Sequence, residues 1–210
     1  MVWIAVIRRV VSRLPFLPCS IRPEPPSALG WRGRHARGDE AMKVTVVAGN
    51  PKPGSRTLDA AGLVATAVTG AAADSTVDVI ELGAGLLGWG DDKVAAAVET
   101  VASSDLVVFA SPTFKASYTG VLKLFLDQFA TGDGLKDVVV VPLMLGAGPA
   151  HAMAPDLLLK PVLVELGATA PAPGLYLIDT TYTTDTRIAD YAERWGSILT
   201  AAARTRTELS

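Results

Sequence analysis

The feature that most constrains this chain is an alternation that begins at Met42: short runs of β-branched apolar residues take turns with alanine- and leucine-rich stretches of helical period. Strands separated by helices cannot close as hairpins, so such a chain builds a parallel sheet with helices packed on its faces. Strands are expected at 43–48, 77–82, 106–110, 138–145 and 175–178, and helices at 58–68, 92–102, 119–129, 154–166 and 186–203. The third run, Leu106 to Ala110, is apolar throughout, as a central strand covered on both faces should be. Leu58, Ala61, Leu63 and Ala65 are expected on the inner side of the first helix, and Val121, Leu122, Phe125, Leu126 and Phe129 recur at helix spacing in the third. Pro142 interrupts the fourth run, which a central strand tolerates poorly unless a bend lies near.

Five such pairs within about 165 residues predict an α/β, doubly wound, five-stranded parallel sheet in the flavodoxin-like order 2-1-3-4-5, with helices on both faces. The chain has 210 residues, half of them apolar, enough for one sizeable core. Residues 1–41 differ from the rest: they carry seven arginines and no lysine against Glu24, Asp39 and Glu40, a balance of +4 that leaves -6 for the remainder. Prolines and a Gly/Arg-rich stretch punctuate that segment, so the division expected is a disordered basic arm or mis-assigned start over 1–41 and one domain over 42–210. Its apolar run, Val2 to Ile7, precedes Arg8 and Arg9, the reverse of a secretory signal, and the stretch after the arginine pair holds Arg13, Pro15 and Pro18, a poor export segment. A net charge of -2 offers no broad footprint for nucleic acid. Glycine, proline or charge breaks every later apolar run short of the roughly 18 residues that span a bilayer, so no membrane partner is expected. The single cysteine, Cys19, builds neither a disulfide nor a multi-thiolate site and suits a cytoplasmic protein. Trp89 and Trp195 are expected in core or subunit packing, and Asp127, Asp156 and Asp179 lack the histidine company of a metal site, so no metal is predicted.

In a sheet of this order the ligand crevice lies beyond the carboxyl ends of the strands, where the order reverses between strands 1 and 3. The connection after strand 1, Gly49 to Thr57 (GNPKPGSRT), delivers Ser55, Arg56 and Thr57 to a helix start, where free amides, the helix dipole, hydroxyls and a guanidinium can hold a phosphate. Helix capping explains Ser55 and Thr57 equally well. The loop has neither the P-loop pattern nor G-x-G-x-x-G, which disfavours a nucleotide triphosphatase and a standard NAD fingerprint.

The connection after strand 3 reads Ser111 to Gly120 (SPTFKASYTG) and continues Val121, Leu122 and Lys123. Flat apolar walls with backbone N–H groups suit a planar aromatic ligand. Together with the first loop, this stretch resembles the NAD(P)H-dependent FMN reductase family, above all the members that supply reduced flavin to sulfonate monooxygenases. The segment Gly146, Ala147, Gly148, Pro149, Ala150 and His151, with Lys160 to Leu163 after it, resembles the family's Gly-Gly-x-x-x-His region; Ala147 stands at a family glycine, and Leu157 where those members often carry tyrosine. The resemblance implies FMN and NADPH (or NADH) as cofactors, with hydride passing from nicotinamide to flavin. It places Ser55, Arg56 and Thr57 on the phosphate, Pro112, Thr113, Phe114 and Lys115 along the ring, and Gly146, Gly148 and His151 on the far side. No catalytic side chain is expected, since the chemistry belongs to the cofactors. The same resemblance implies a homodimer or homotetramer and a flavin-dependent monooxygenase as partner. Two rival readings are a quinone or azo reductase that retains its FMN, and a non-enzymatic electron carrier like flavodoxin.

Overall fold

The computed structural model describes residues 41–207; the basic segment, with Trp3, Cys19 and Trp31, lies outside the described residues. The sheet is five-stranded and parallel, ordered β2-β1-β3-β4-β5, the expected doubly wound order. Its strands are β1 (Val44–Ala48), β2 (Ser75–Asp78), β3 (Leu106–Pro112), β4 (Val139–Gly146) and β5 (Leu175–Ile178). The α-helices are α1 (Arg56–Thr69), α2 (Asp92–Ala102), α3 (Gly120–Leu126), α4 (Lys160–Glu165) and α5 (Arg187–Thr207).

Side chains alternate across each strand with period two, and in the inner strands both sides are largely apolar because both are covered, while β2 at the edge leaves Thr76 exposed. Val44, Val46, Leu106, Val108 and Val141 pack with α1 and α5 in one core layer. Val47, Val107, Phe109, Val140 and Met144 point the other way, into a layer closed by α2, α3 and α4. Phe125 and Phe129 meet edge to face, ring centroids 5.3 Å apart, in that second layer. Thr45, fully buried in β1, is satisfied by the Ser104 hydroxyl at 2.8 Å.

Pro142 sits inside β4, opposite Phe109 of β3, without ending the strand. The amides of β4 alternate in direction: Val139 donates toward Asp105 on the β3 side, and Val140 toward Thr169 on the other. Pro142, two residues on from Val140, therefore turns its nitrogen away from β3. There, between the Thr169 bridge and the first β5 pair at Leu143 and Leu175, no strand asks for a donor.

Other expectations shift. The second strand stops at Asp78, and Val79–Leu87 winds into 3-10 turns that bury Val79 and Leu86, with Gly83 at φ 66 between them. In α1 the buried positions are Thr57, Ala60, Ala61, Val64, Ala65 and Val68, so the stripe passes beside Leu63, which is 40% exposed instead of inward. The fourth helix divides: Pro155–Leu159 is a π turn, in which the Lys160 amide reaches the Pro155 carbonyl, and α4 follows. Pro161 has no amide to close a regular turn on Leu157. Trp89 is 78% exposed and belongs to no core, whereas Trp195 is partly buried, with the Arg194 guanidinium 5.1 Å from its ring centroid.

Candidate functional site: the carboxyl rim of the sheet

The first loop leaves β1 under close restraint. Gly49 donates its amide to Ala110 at 2.8 Å, the Thr119 hydroxyl donates to its carbonyl, and a Cβ there would lie 2.2 Å from that of Leu122. Glycine is thus what lets β1 pass against α3. Asn50 shapes the turn, accepting the Lys52 amide and donating to the Thr57 hydroxyl, each at 2.9 Å. Gly54, at φ +57, donates its amide to Asp78 Oδ2 at 2.8 Å, which ties the loop to the end of β2. Burial pushes the Asp78 carboxyl above its ordinary value and Glu81 adds to this, against the Gly54 and Ile80 amides.

Ser55 caps α1, its hydroxyl accepting the Leu58 amide at 3.4 Å, and Thr57 is 2% exposed with its hydroxyl on Asn50. The hydroxyls therefore serve the helix and the loop, and it is the amides of Arg56 and Thr57, at the start of α1, that have no intrahelical acceptor. The Arg56 side chain, 61% exposed, extends to the end of β5, where Nη1 donates to the Asp179 carbonyl at 2.9 Å and Nη2 lies 3.5 Å from Asp179 Oδ2. One turn further along α1, Tyr182 donates its hydroxyl to Asp59 at 2.8 Å. Burial and that carboxylate raise the phenol above its usual range, so it remains a donor.

In the second loop, β3 continues through Pro112, and Thr113 donates its amide to Leu145 at 2.6 Å. The Thr113 hydroxyl is buried without a hydrogen-bond partner. Phe114 and Ser117 then pair across a two-residue turn in which Lys115 (φ 51) and Ala116 (φ 68) both adopt positive φ, the backbone of a type I′ hairpin. The turn displays Phe114, 53% exposed, and Lys115 at its tip. Ser111 closes the base by accepting the Thr119 amide at 3.0 Å.

In the third loop, Gly146 ends β4 where a Cβ would overlap Tyr176 Oη at 1.9 Å and meet Thr113 Cβ at 3.5 Å. The Tyr176 hydroxyl donates to the Gly148 carbonyl at 2.9 Å, so glycine at 146 makes room for the side chain that pins the loop. Gly148 is extended and has open space around it. His151 ends the 3-10 turn Pro149–His151 and is exposed. With Ala116, Met153, Leu157 and Leu158 it lines an open, mostly apolar depression of about 290 Å³. The second and third loops thus meet at one depression, and the first joins the second through Gly49, Ala110 and Thr119.

This rim suits FMN. Amide donors start α1, an open and mostly apolar depression lies between the second and third loops, and the Thr113 hydroxyl in the second loop is buried without a partner. The sequence alone assigns no site role to Asp78, Tyr176, Asp179 or Tyr182: Asp78 ends a strand expected to run on to Leu82, whereas the other three lie in or shortly after β5, whose end at Ile178 matches expectation. Among the described residues no three His, Cys, Asp or Glu side chains cluster as metal ligands; Asp127 pairs with Lys123, Asp156 with Lys160 and Asp179 with Arg56. No helix among them is long and apolar enough to cross a membrane.

Among curated proteins, the FMN reductase (NADPH) of Escherichia coli (strain K12) is 35% identical over 96 residues, 46% of this chain and 47% of its own length. That of Pseudomonas putida (strain KT2440) is 36% identical over 81 residues, 39% and 41% of the two chains. The chain thus spans less than half the length of the curated relatives it matches. Among solved structures, the apo form of an NADH:FMN oxidoreductase superposes with a TM-score of 0.66 at 27% identity, covering 79% of this chain and 90% of that one. An oxidoreductase from Corynebacterium diphtheriae shares the fold, with a TM-score of 0.62 at 24% identity over 76% of this chain and 98% of that one. The model of the family described as NADPH-dependent FMN reductase matches residues 42–183, which take in every strand and all three loops of the rim, and to that family the chain belongs.

Proposed function

We propose that this protein is an NAD(P)H-dependent FMN reductase that takes up FMN at the carboxyl rim. The observation that carries the reading is the division of that rim: anion donors at the start of α1, and an apolar depression between the 114–117 hairpin and the 149–158 segment. The Arg56 and Thr57 amides and the Arg56 guanidinium hold the phosphate, with Ser55 fixing the helix start that presents them. Pro112, Thr113, Phe114 and Lys115 line the ring, and Gly146, Gly148 and His151 close the far side. Flavin, when bound, supplies two-electron chemistry with NADPH or NADH as hydride donor. The chain's part is to bind, orient and exclude water, which needs no acid–base pair.

The reading extends to assembly and partners. Exposed Phe114, Met153 and Leu157 beside the depression support a homodimer or homotetramer that covers them. The resemblance of residues 112–123 to sulfonate-linked reductases supports delivery of reduced flavin to a flavin-dependent monooxygenase. The lone cysteine suits the reducing cytoplasm, where we place the enzyme.

The test is a visible spectrum of the purified protein, followed by NADPH and NADH oxidation with and without added FMN. Flavin-dependent oxidation of either nicotinamide is expected. Tightly bound flavin with negligible turnover would overturn the reading in favour of an electron carrier.

A further inference from the structure

We infer that Asp179, at the end of β5, is a positioning residue for the flavin phosphate: it holds the Arg56 guanidinium over the start of α1. The inference rests on the FMN reading above and assigns a role to a fourth connection, β5 to α5.

Arg56 and Asp179 lie 123 residues apart and meet through two different guanidinium nitrogens, one on the main-chain carbonyl at 2.9 Å and one 3.5 Å from Oδ2. A guanidinium carries five N–H donors in a planar fork, so a side chain held at two of them keeps others for a second anion. Asp179 is itself fixed from below, its amide donating to the Gly146 carbonyl at 3.0 Å. Three residues later Tyr182, buried, fastens the same connection to Asp59 in the first turns of α1. The grip therefore has two points on the helix, at 56 and 59, and its base is the rim of β4. An exposed arginine otherwise surrenders rotamer freedom when it closes on a ligand; one already tethered gives up less, and the phosphate gains the difference. Asp179 Oδ1, buried and without a hydrogen-bond partner, leaves Arg56 as the cation paired with this carboxylate among the described residues.

The experiment titrates FMN and riboflavin, which has the ring without the phosphate, into wild type, Asp179→Ala, Asp179→Asn, Arg56→Ala and the Arg56→Ala/Asp179→Ala double variant, by flavin fluorescence at fixed salt. Asp179→Ala is expected to weaken FMN three- to tenfold with riboflavin unchanged. Asp179→Asn, which keeps a side-chain oxygen for Arg56 beside the main-chain carbonyl that every variant at 179 retains, should stay within twofold of wild type. Arg56→Ala should weaken FMN ten- to a hundredfold, and adding Asp179→Ala to it should change nothing more. If Asp179→Ala leaves FMN affinity unchanged or tighter, or weakens both flavins alike, the positioning role is overturned while the Arg56 result stands. If Arg56→Ala itself fails to separate the two flavins, the phosphate assignment of the first loop fails, and this inference with it.

Discussion

Asp78 ends β2 with its carboxylate sealed beneath the first loop, one oxygen on the Gly54 amide and the other without a hydrogen-bond partner. Its carboxyl titrates above the ordinary 3.8, burial being the main cause, so the folded chain holds this proton more tightly than the unfolded one. Its contribution to stability is therefore full in acid below 3.8 and is lost as pH rises through the raised value. Asparagine keeps the acceptor for Gly54 and never ionises. Asp78→Asn should raise Tm at pH 7, with the gain shrinking to nothing in melts near the acid limit; a constant difference across pH would show that the charge is not what burial opposes. Such a role was not legible in the sequence. Ser55 and Arg56 could be read because a helix start is local, whereas the contacts of Asp78 with Gly54 and of Asp179 with Arg56 span 24 and 123 residues and exist only once the strands are side by side.

The hairpin after β3 is a local element whose backbone works against its residues. Lys115 and Ala116 both hold positive φ, a region that costs a side-chain-bearing residue about 1–2 kcal/mol. Ala116→Val should lower the urea-unfolding free energy by roughly 1–3 kcal/mol, the cost of a bulky residue in strained backbone. Ala116→Gly should match or modestly exceed wild type, because relief of about 1–2 kcal/mol of strain is only partly offset by roughly 0.5–1 kcal/mol of added backbone entropy. Equal stability for all three would mean that the turn relaxes away from the I′ form. Periodicity foresaw a helix after this turn and the fold around it, yet not the turn itself, since Lys-Ala is no turn signal in sequence. The fourth helix shows the same limit: its apolar spacing was plain, but the widening at Pro155–Leu159 follows from which amides Pro161 fails to supply.

Taken whole, the chain declared its architecture because the inner strands, β1, β3 and β4, are covered on both faces and so carry runs that are almost wholly apolar, whereas the edge strand β2 (Ser75–Asp78), half exposed, does not. The break in charge and proline content near Met42 marks where that pattern begins. A chain starting at Met42 is expected to melt as the full chain does and to match it in the proposed NAD(P)H oxidation; loss of the cooperative transition, or of a turnover that the full chain retains, would make residues 1–41 part of the working domain. Pro142 has a consequence of its own at this scale. Because it offers no amide toward β5, that strand cannot lengthen toward its amino end without setting a carbonyl opposite a missing donor. Nor can it slide along β4 at no penalty, and a slip of one residue would carry its side chains about 3.3 Å along and turn each to the opposite face. An imino acid buried in the middle of the sheet thus sets the phase of the edge strand, and with it the place at the rim where Asp179 meets Arg56.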